Sequence, residues 1–246
     1  IRFSEDRLAG VSKFMTKLWN VARFISMFPN PENLKDNELT PVDKWVLAEL
    51  NAIIERIIPE CDILDFHKPA MEIRSFTWNL FADHIIEMLK GRCFNSEGKF
   101  SEVEQKSAWY VLHTALAILL RTLSPIIPFI TDSIYRQLYN ETGIHTEGYP
   151  LPEKGWQSKL TEHTDLLMRT NSGFWKFKRE NDLSLRAGLP EAFIDKELKP
   201  WAKDLQAMHG IEKLQFGTPK DDGFVEVTLP ESEETIFIRP LDESKE

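Results

Sequence analysis

The chain has 246 residues, 42% of them hydrophobic and 28% charged, and a formal net charge of −9. That length suits one or two domains with an ordinary core, and the composition excludes disordered and fibrous classes. The acidic balance argues against a nucleic-acid partner unless basic residues gather in one place, because phosphate binding is chiefly Lys and Arg work.

The apolar spacing predicts helices through about residue 180. In the first, Leu8, Val11, Met15, Leu18, Ala22 and Ile25 step by three and four, Ser4 supplies a cap, and Pro29-Asn30-Pro31 stops it. A polar loop, Glu32 to Leu39, leads to a second helix with Thr40 as N-cap and Pro41 at its first position. Pro59 is expected to end it. A third helix runs from about Phe66 to Cys93. A fourth, from about Ser101 to Leu123, is apolar almost all round and so belongs at the centre of a bundle. Ser124 to Pro128 breaks it, a fifth carries Phe129 to Tyr139, and a sixth fits Ser158 to Asn181. After Pro190 the period changes. Ala192 to Ile194 reads as a short strand, and Glu197 to His209 as a helix closed by Gly210. Ile211 to Phe216, Phe224 to Leu229 and Thr235 to Arg239 alternate as strands. Glu243 to Glu246 is expected to fray. The fold class is mainly α: an antiparallel helix bundle followed by a small α+β (βαββ) module. The expected domains are a bundle over 1–157, a connecting basic helix over 158–190, and the module over 191–246.

Motifs for catalysis are missing. No phosphate-binding glycine loop, dinucleotide fingerprint or nucleophile elbow occurs. No two of the six histidines sit four apart around a Glu, so no helical zinc site is expected, and His84 and His113 read as structural. Cys61 and Cys93 are the only cysteines, which suits a reduced, cytoplasmic setting. The longest apolar run is far short of a membrane span. The charged start without Met resembles a piece of a longer protein.

Charge is unevenly spread. Residues 191–246 carry 7 Lys+Arg against 14 Asp+Glu, net −7, while the first 27 residues are net +3. On the first helix Lys13, Thr16, Asn20 and Arg23 share one face, with Lys17 beside them and Phe14 and Phe24 flanking. Cations, an amide and aromatic rings suit phosphates, base edges and stacked bases of single-stranded RNA. The same pattern also fits a solvated helix face whose aromatics turn into the core. A second stripe on the third helix holds Asn79, Asp83, Glu87 and Lys90, with Arg74 and Trp78 nearby; surface charge pairing explains it equally well. A third basic run, Lys176, Lys178, Arg179 and Arg186, interleaves with Trp175 and Phe177 and reads most simply as solvated.

Several segments taken in order resemble a known family. Ile1-Arg2-Phe3-Ser4 and Phe14 through Phe24, with its Trp19-Asn20 and Arg23-Phe24 pairs, are similar to the opening of the anticodon-binding region of valyl-tRNA synthetases, which are class I aminoacyl-tRNA synthetases. Asp43-Lys44-Trp45-Val46-Leu47 with Leu50-Asn51, Phe66-His67-Lys68, Phe76 through Lys90, Leu119 through Tyr135, and Ile144-His145 with Tyr149-Pro150 continue the series. The resemblance is strong over 1–150 and weaker through the sixth helix. The small module after 191 resembles archaeal-type members.

The resemblance implies a piece that holds the anticodon stem and loop of tRNA(Val). The parent enzyme would attach valine to tRNA using ATP and Mg, through upstream catalytic and editing domains; this piece implies no cofactor or metal of its own. It carries tRNA contact onto Asn20, Arg23 and Phe24, and onto Trp78, Asn79 and Lys90. Trp19 and Trp78 fit equally as core anchors. Two other readings stay open: the same domain of an isoleucyl or leucyl enzyme, and a helical protein-interaction scaffold that binds no tRNA.

Overall fold

A computed structural model describes residues 5–31 and 34–241. The opening Ile1 to Ser4, with its expected cap, part of the polar loop at Glu32 and Asn33, and the tail from Asp242 lie outside the described residues, as do the side chains of Asp6 and Arg7. Eight α-helices carry the labels used below: α1 (Glu5–Ile25), α2 (Pro41–Asp62), α3 (His67–Ser75), α4 (Ile86–Phe94), α5 (Glu102–Leu123), α6 (Pro128–Leu138), α7 (Thr164–Glu180) and α8 (Ala202–His209). Four strands follow: β1 (Leu189–Ile194), β2 (Ile211–Phe216), β3 (Val225–Thr228) and β4 (Thr235–Ile238). No described helix is long and apolar enough to cross a membrane. By internal packing the chain forms two units, one of residues 1–86 and 100–158, the other of 87–99 and 159–246.

In the first unit α5 packs against α1, α2, α3 and α6. Its Ala108, Val111, Leu112, Ala115, Leu116, Leu119 and Leu120 are almost wholly buried, as an all-round apolar helix requires. The start of α2 is set locally. The Thr40 side chain accepts from the Asp43 N–H while Asp43 reaches back to the Thr40 N–H at 2.8 Å, and Pro41 follows in the first turn. Pro59 does not end this helix, which continues to Asp62. Pro59 and Glu55, whose carbonyl loses its helical partner there, are both exposed, so water can satisfy that carbonyl.

The expected third helix is one continuous helical run in three parts. Between α3 and α4, Phe76–Ile85 takes π-helical hydrogen bonding, and the junction residues Phe76 and Ile86 keep helical dihedrals. The Ile86 N–H bonds to the Phe81 carbonyl, five residues back. Such a segment turns less per residue than an α-helix. Residues five apart, which an α-helix sets about 140° from each other, therefore drift toward one face.

Three contacts fix α1. The His113 Nε2 of α5 donates to the Phe28 carbonyl just beyond α1 at 3.0 Å. Because a carbonyl only accepts, this holds His113 in the tautomer whose Nδ1 faces the Tyr139 hydroxyl, 3.2 Å away. Arg74 of α3 donates to the Gly10 carbonyl at 3.3 Å. Lys17 bonds Asp83 at 2.6 Å. Asn51 of the family-like Leu50-Asn51 pair is also structural: nearly buried, it accepts from the Glu153 N–H at 2.7 Å and ties the late loop to α2.

The second unit is a four-stranded mixed sheet of order β2-β1-β4-β3, in which β1 runs parallel to β2 and antiparallel to β4. A 3₁₀ turn over Lys196–Trp201 and then α8 make the crossover from β1 to β2. Gly210 closes α8 with φ 66° and ψ 33°, and a Cβ there would lie 3.1 Å from Gly188 Cα, so glycine answers both the left-handed backbone and the crowding. The sequence separates the 158–190 helix from the 191–246 module, but α7 and the sheet share this unit. α7 can lie close to the sheet because Gly173 has no side chain; a Cβ would meet Leu229 at 2.7 Å and Ile236 at 3.2 Å. Lys178, expected in a solvated basic run, is fully buried here and donates to the carbonyls of Leu185, 3.1 Å away, and His209, 2.8 Å away.

Residues 87–99 belong to this unit as well. Gly91 of α4 lets α8 approach until a Cβ would stand 2.8 Å from Ala207 Cβ. The next residue, Arg92, is wholly buried, with its Nε 3.2 Å from Oδ1 of Asp204, itself nearly buried. The two charges compensate each other where neither could be left alone.

Candidate nucleic-acid interface

The outer face of α1 is where the sequence concentrates candidate contacts, and the structure divides them. Lys13, Asn20 and Arg23 are exposed on one face, and their side chains have no partner among the described residues. Thr16 is exposed too, but its hydroxyl donates to the Ser12 carbonyl at 3.0 Å. Lys17 is engaged on two sides: its ammonium lies 2.6 Å from Asp83 and 4.1 Å from the centre of the Trp78 ring. Trp78 and Asp83 are five apart, and the π-helical segment brings both to the side that meets α1. A carboxylate and the negative face of an indole then share one cation.

The aromatic flank also splits. Phe14 is only 5% exposed, its ring below the Arg74 guanidinium at 6.0 Å, so it is a core residue and is not presented to a ligand. Phe24 is half-buried and edge-on to Phe28, ring centres 5.2 Å apart. Arg74 spends one donor on Gly10, and Asn79, exposed, donates to the Ser75 hydroxyl at 3.1 Å. Lys90 belongs to the second unit, where it pairs with Glu87 at 2.5 Å.

Trp19, left open by the sequence between core anchor and surface, is 43% exposed. Two features had no sequence signal. The Lys17–Asp83 pair joins helices whose stripes read as independent, and the alignment of Trp78 with Asp83 depends on a π-helical register that apolar spacing does not reveal. Among the described residues no group of three or more His, Cys, Asp or Glu could hold a metal ion. No described nucleophile stands beside a base on this face. The arrangement can offer charge, amides and an exposed ring to an extended polyanion.

Residues 43–193 match the family model of the anticodon-binding domain of tRNA ligases. The chain belongs to that family. Among curated relatives, the valine–tRNA ligase of Pyrobaculum aerophilum is 36% identical over 217 residues, covering 88% of this chain and 27% of that protein. The valine–tRNA ligase of Aeropyrum pernix is 36% identical over 214 residues, 85% of this chain and 26% of that protein. The valine–tRNA ligase of Carboxydothermus hydrogenoformans is 37% identical over 144 residues, 57% of this chain. The chain thus spans about a quarter of the length of the first two relatives and matches the anticodon-binding region of the valine enzymes. As an anticodon-binding domain it needs no catalytic group on this face. Its candidate surface is the exposed side of α1, which precedes the matched 43–193 stretch.

Proposed function

We propose that this chain holds the anticodon stem and loop of tRNA(Val) for a valine–tRNA ligase. The parent attaches valine to that tRNA with ATP and Mg, which act in catalytic and editing domains outside this chain, and it works in the cytoplasm. One observation supports the reading most: a member of the anticodon-binding family carries Lys13, Asn20 and Arg23 together on an exposed helix face with no partner among the described residues. Unpaired cations on a rigid helix can meet phosphates without first giving up an ion pair. Arg23 and Lys13 contact the backbone, and Asn20 and Thr16 lie within reach of sugar and base edges between them. Phe24, Trp78 and Asn79 flank this face, and Lys17 and Arg74 shape it through their own contacts.

The test is a filter-binding titration with a tRNA(Val) transcript over a series of salt concentrations. Lys13→Glu and Arg23→Glu should each weaken binding and lower the salt slope by about one. Competition with a tRNA(Ile) transcript tests the choice of amino acid: tighter binding of tRNA(Ile) than of tRNA(Val) would favour an isoleucyl-type parent. No response to nucleic acid at low salt would defeat the reading and favour a protein-interaction scaffold.

A further inference from the structure

Beside the unpaired Arg23 the surface of the first unit carries a hollow of about 130 Å³ between α1 and α6. Its floor is apolar: Ala22 is 4% and Ile134 3% exposed, and Leu138 is half-buried. Trp19 stands at its wall, 43% exposed, and no described residue stacks on its ring or accepts from its indole N–H. The neighbouring apolar positions of the same helix, Leu18, Val21, Ala22 and Ile25, are buried, so Trp19 stands out from the core around it. The rim is polar and directional. Gln137 donates its amide hydrogens to the carbonyl and hydroxyl of Ser133, at 3.0 and 3.3 Å, which assigns its nitrogen and leaves its side-chain oxygen as an acceptor. The Arg23 guanidinium supplies only donors.

We propose that this hollow is a stacking subsite for one unpaired nucleobase, held against the Trp19 ring. The inference rests on the tRNA reading above and deepens it. The hollow, of about 130 Å³, is of a size to take the edge of a single planar ring. An apolar floor with one aromatic wall gives a base a face to stack on without regard to sequence. The rim then adds polar contacts: the Gln137 oxygen can accept an N–H from the Watson–Crick edge of the base, and Arg23 can donate to its ring nitrogen or carbonyl. The occupant is one unpaired base of a single-stranded loop.

The experiment uses the whole chain and an anticodon stem-loop RNA of tRNA(Val) carrying the fluorescent base aminopurine at one loop position at a time. With the wild-type protein, fluorescence at one position should change on binding. Trp19→Leu should abolish that change and weaken binding at least about fivefold, the lower end of a lost base–aromatic stack, with the salt slope unaltered because no charge is removed. Trp19→Phe should keep most of both, which preserves the test should the leucine variant fail to fold by circular dichroism. Binding by Trp19→Leu within about twofold of wild type with the same fluorescence change, while Lys13→Glu still weakens binding, overturns the subsite and leaves the tRNA reading standing. Absence of wild-type binding overturns both.

Discussion

Lys17 and Asp83, separated by 66 residues in sequence, hold their charged groups 2.6 Å apart. On the exposed helix that faces the solvent this pair withdraws one cation from the group available to a polyanion. Replacing Asp83 with Asn should release it. Asp83→Asn is expected to raise affinity for tRNA and steepen the dependence of log K on log salt by a little under one, since one more phosphate can be neutralised. Both side chains are part-exposed, so the cost in stability should stay below about 1 kcal/mol. A salt series on wild type and variant reads the slope, and an unchanged slope would mean that Lys17 stays with Trp78 and meets no phosphate.

His113 should make the first unit sensitive to mild acid. Burial holds its imidazole below the ordinary histidine range, although its bond to Phe28 opposes the shift. The folded state therefore takes up this proton less readily than the unfolded chain. Stability is full above the unfolded value, about 6.5, and is lost as pH falls from there through the folded value. His84, lowered by burial with Asp83 opposing, acts in the same direction. Urea midpoints near pH 7.5 and pH 5 should diverge in wild type and converge partly in His113→Gln.

Gly91 should tolerate no side chain. A methyl group there would meet Ala207 Cβ at 2.8 Å, and both atoms ride on helices that cannot step aside singly. Gly91→Ala is expected to destabilise the second unit by about 1–3 kcal/mol through overpacking. Gly148, around which an added Cβ meets nothing within 4 Å, supplies the contrast: Gly148→Ala should be close to neutral. Thermal unfolding of the two variants side by side decides the matter.

Lys178 predicts a pH dependence of the same sign in the other unit, in a more alkaline window. Burial lowers its ammonium to about 8. Between that value and the unfolded one, about 10.5, the unfolded chain binds the proton that the folded chain has released, so stability should rise with pH across this window by on the order of a few kcal/mol. Lys178→Met removes the titrating group, and the difference between wild type and variant, measured by denaturant unfolding from about pH 7 to 10.5, should shrink or reverse as the pH rises. A constant difference would show that Lys178 stays charged throughout.

What could be read in advance was local. Thr40, Pro41 and Asp43 announce the start of α2 because capping uses groups three residues apart. Gly210 marks the end of α8 because glycine readily takes the left-handed backbone there, and Ile211 to Phe216 forms the expected strand although its burial does not alternate. Pro59 misled because an exposed proline near a helix end loses a bond that water replaces. The candidate face of α1 was legible as a stripe, but its division into free and engaged cations was not. Asp83 comes from another helix, and its alignment with Trp78 comes from a hydrogen-bond pattern. Burial of Lys178 and Arg92 was hidden likewise, since each depends on carbonyls or a carboxylate from distant segments.

The make-up of the second unit has a consequence for how the chain is made. Its two parts, 87–99 and 159–246, flank a stretch that belongs to the other unit. During synthesis Arg92 is therefore in place while Asp204, which neutralises it, has yet to emerge from the ribosome. At ~5–20 residues per second the interval is on the order of ten seconds. A ribosome stalled before α8 would therefore leave Arg92 without the carboxylate that balances its charge.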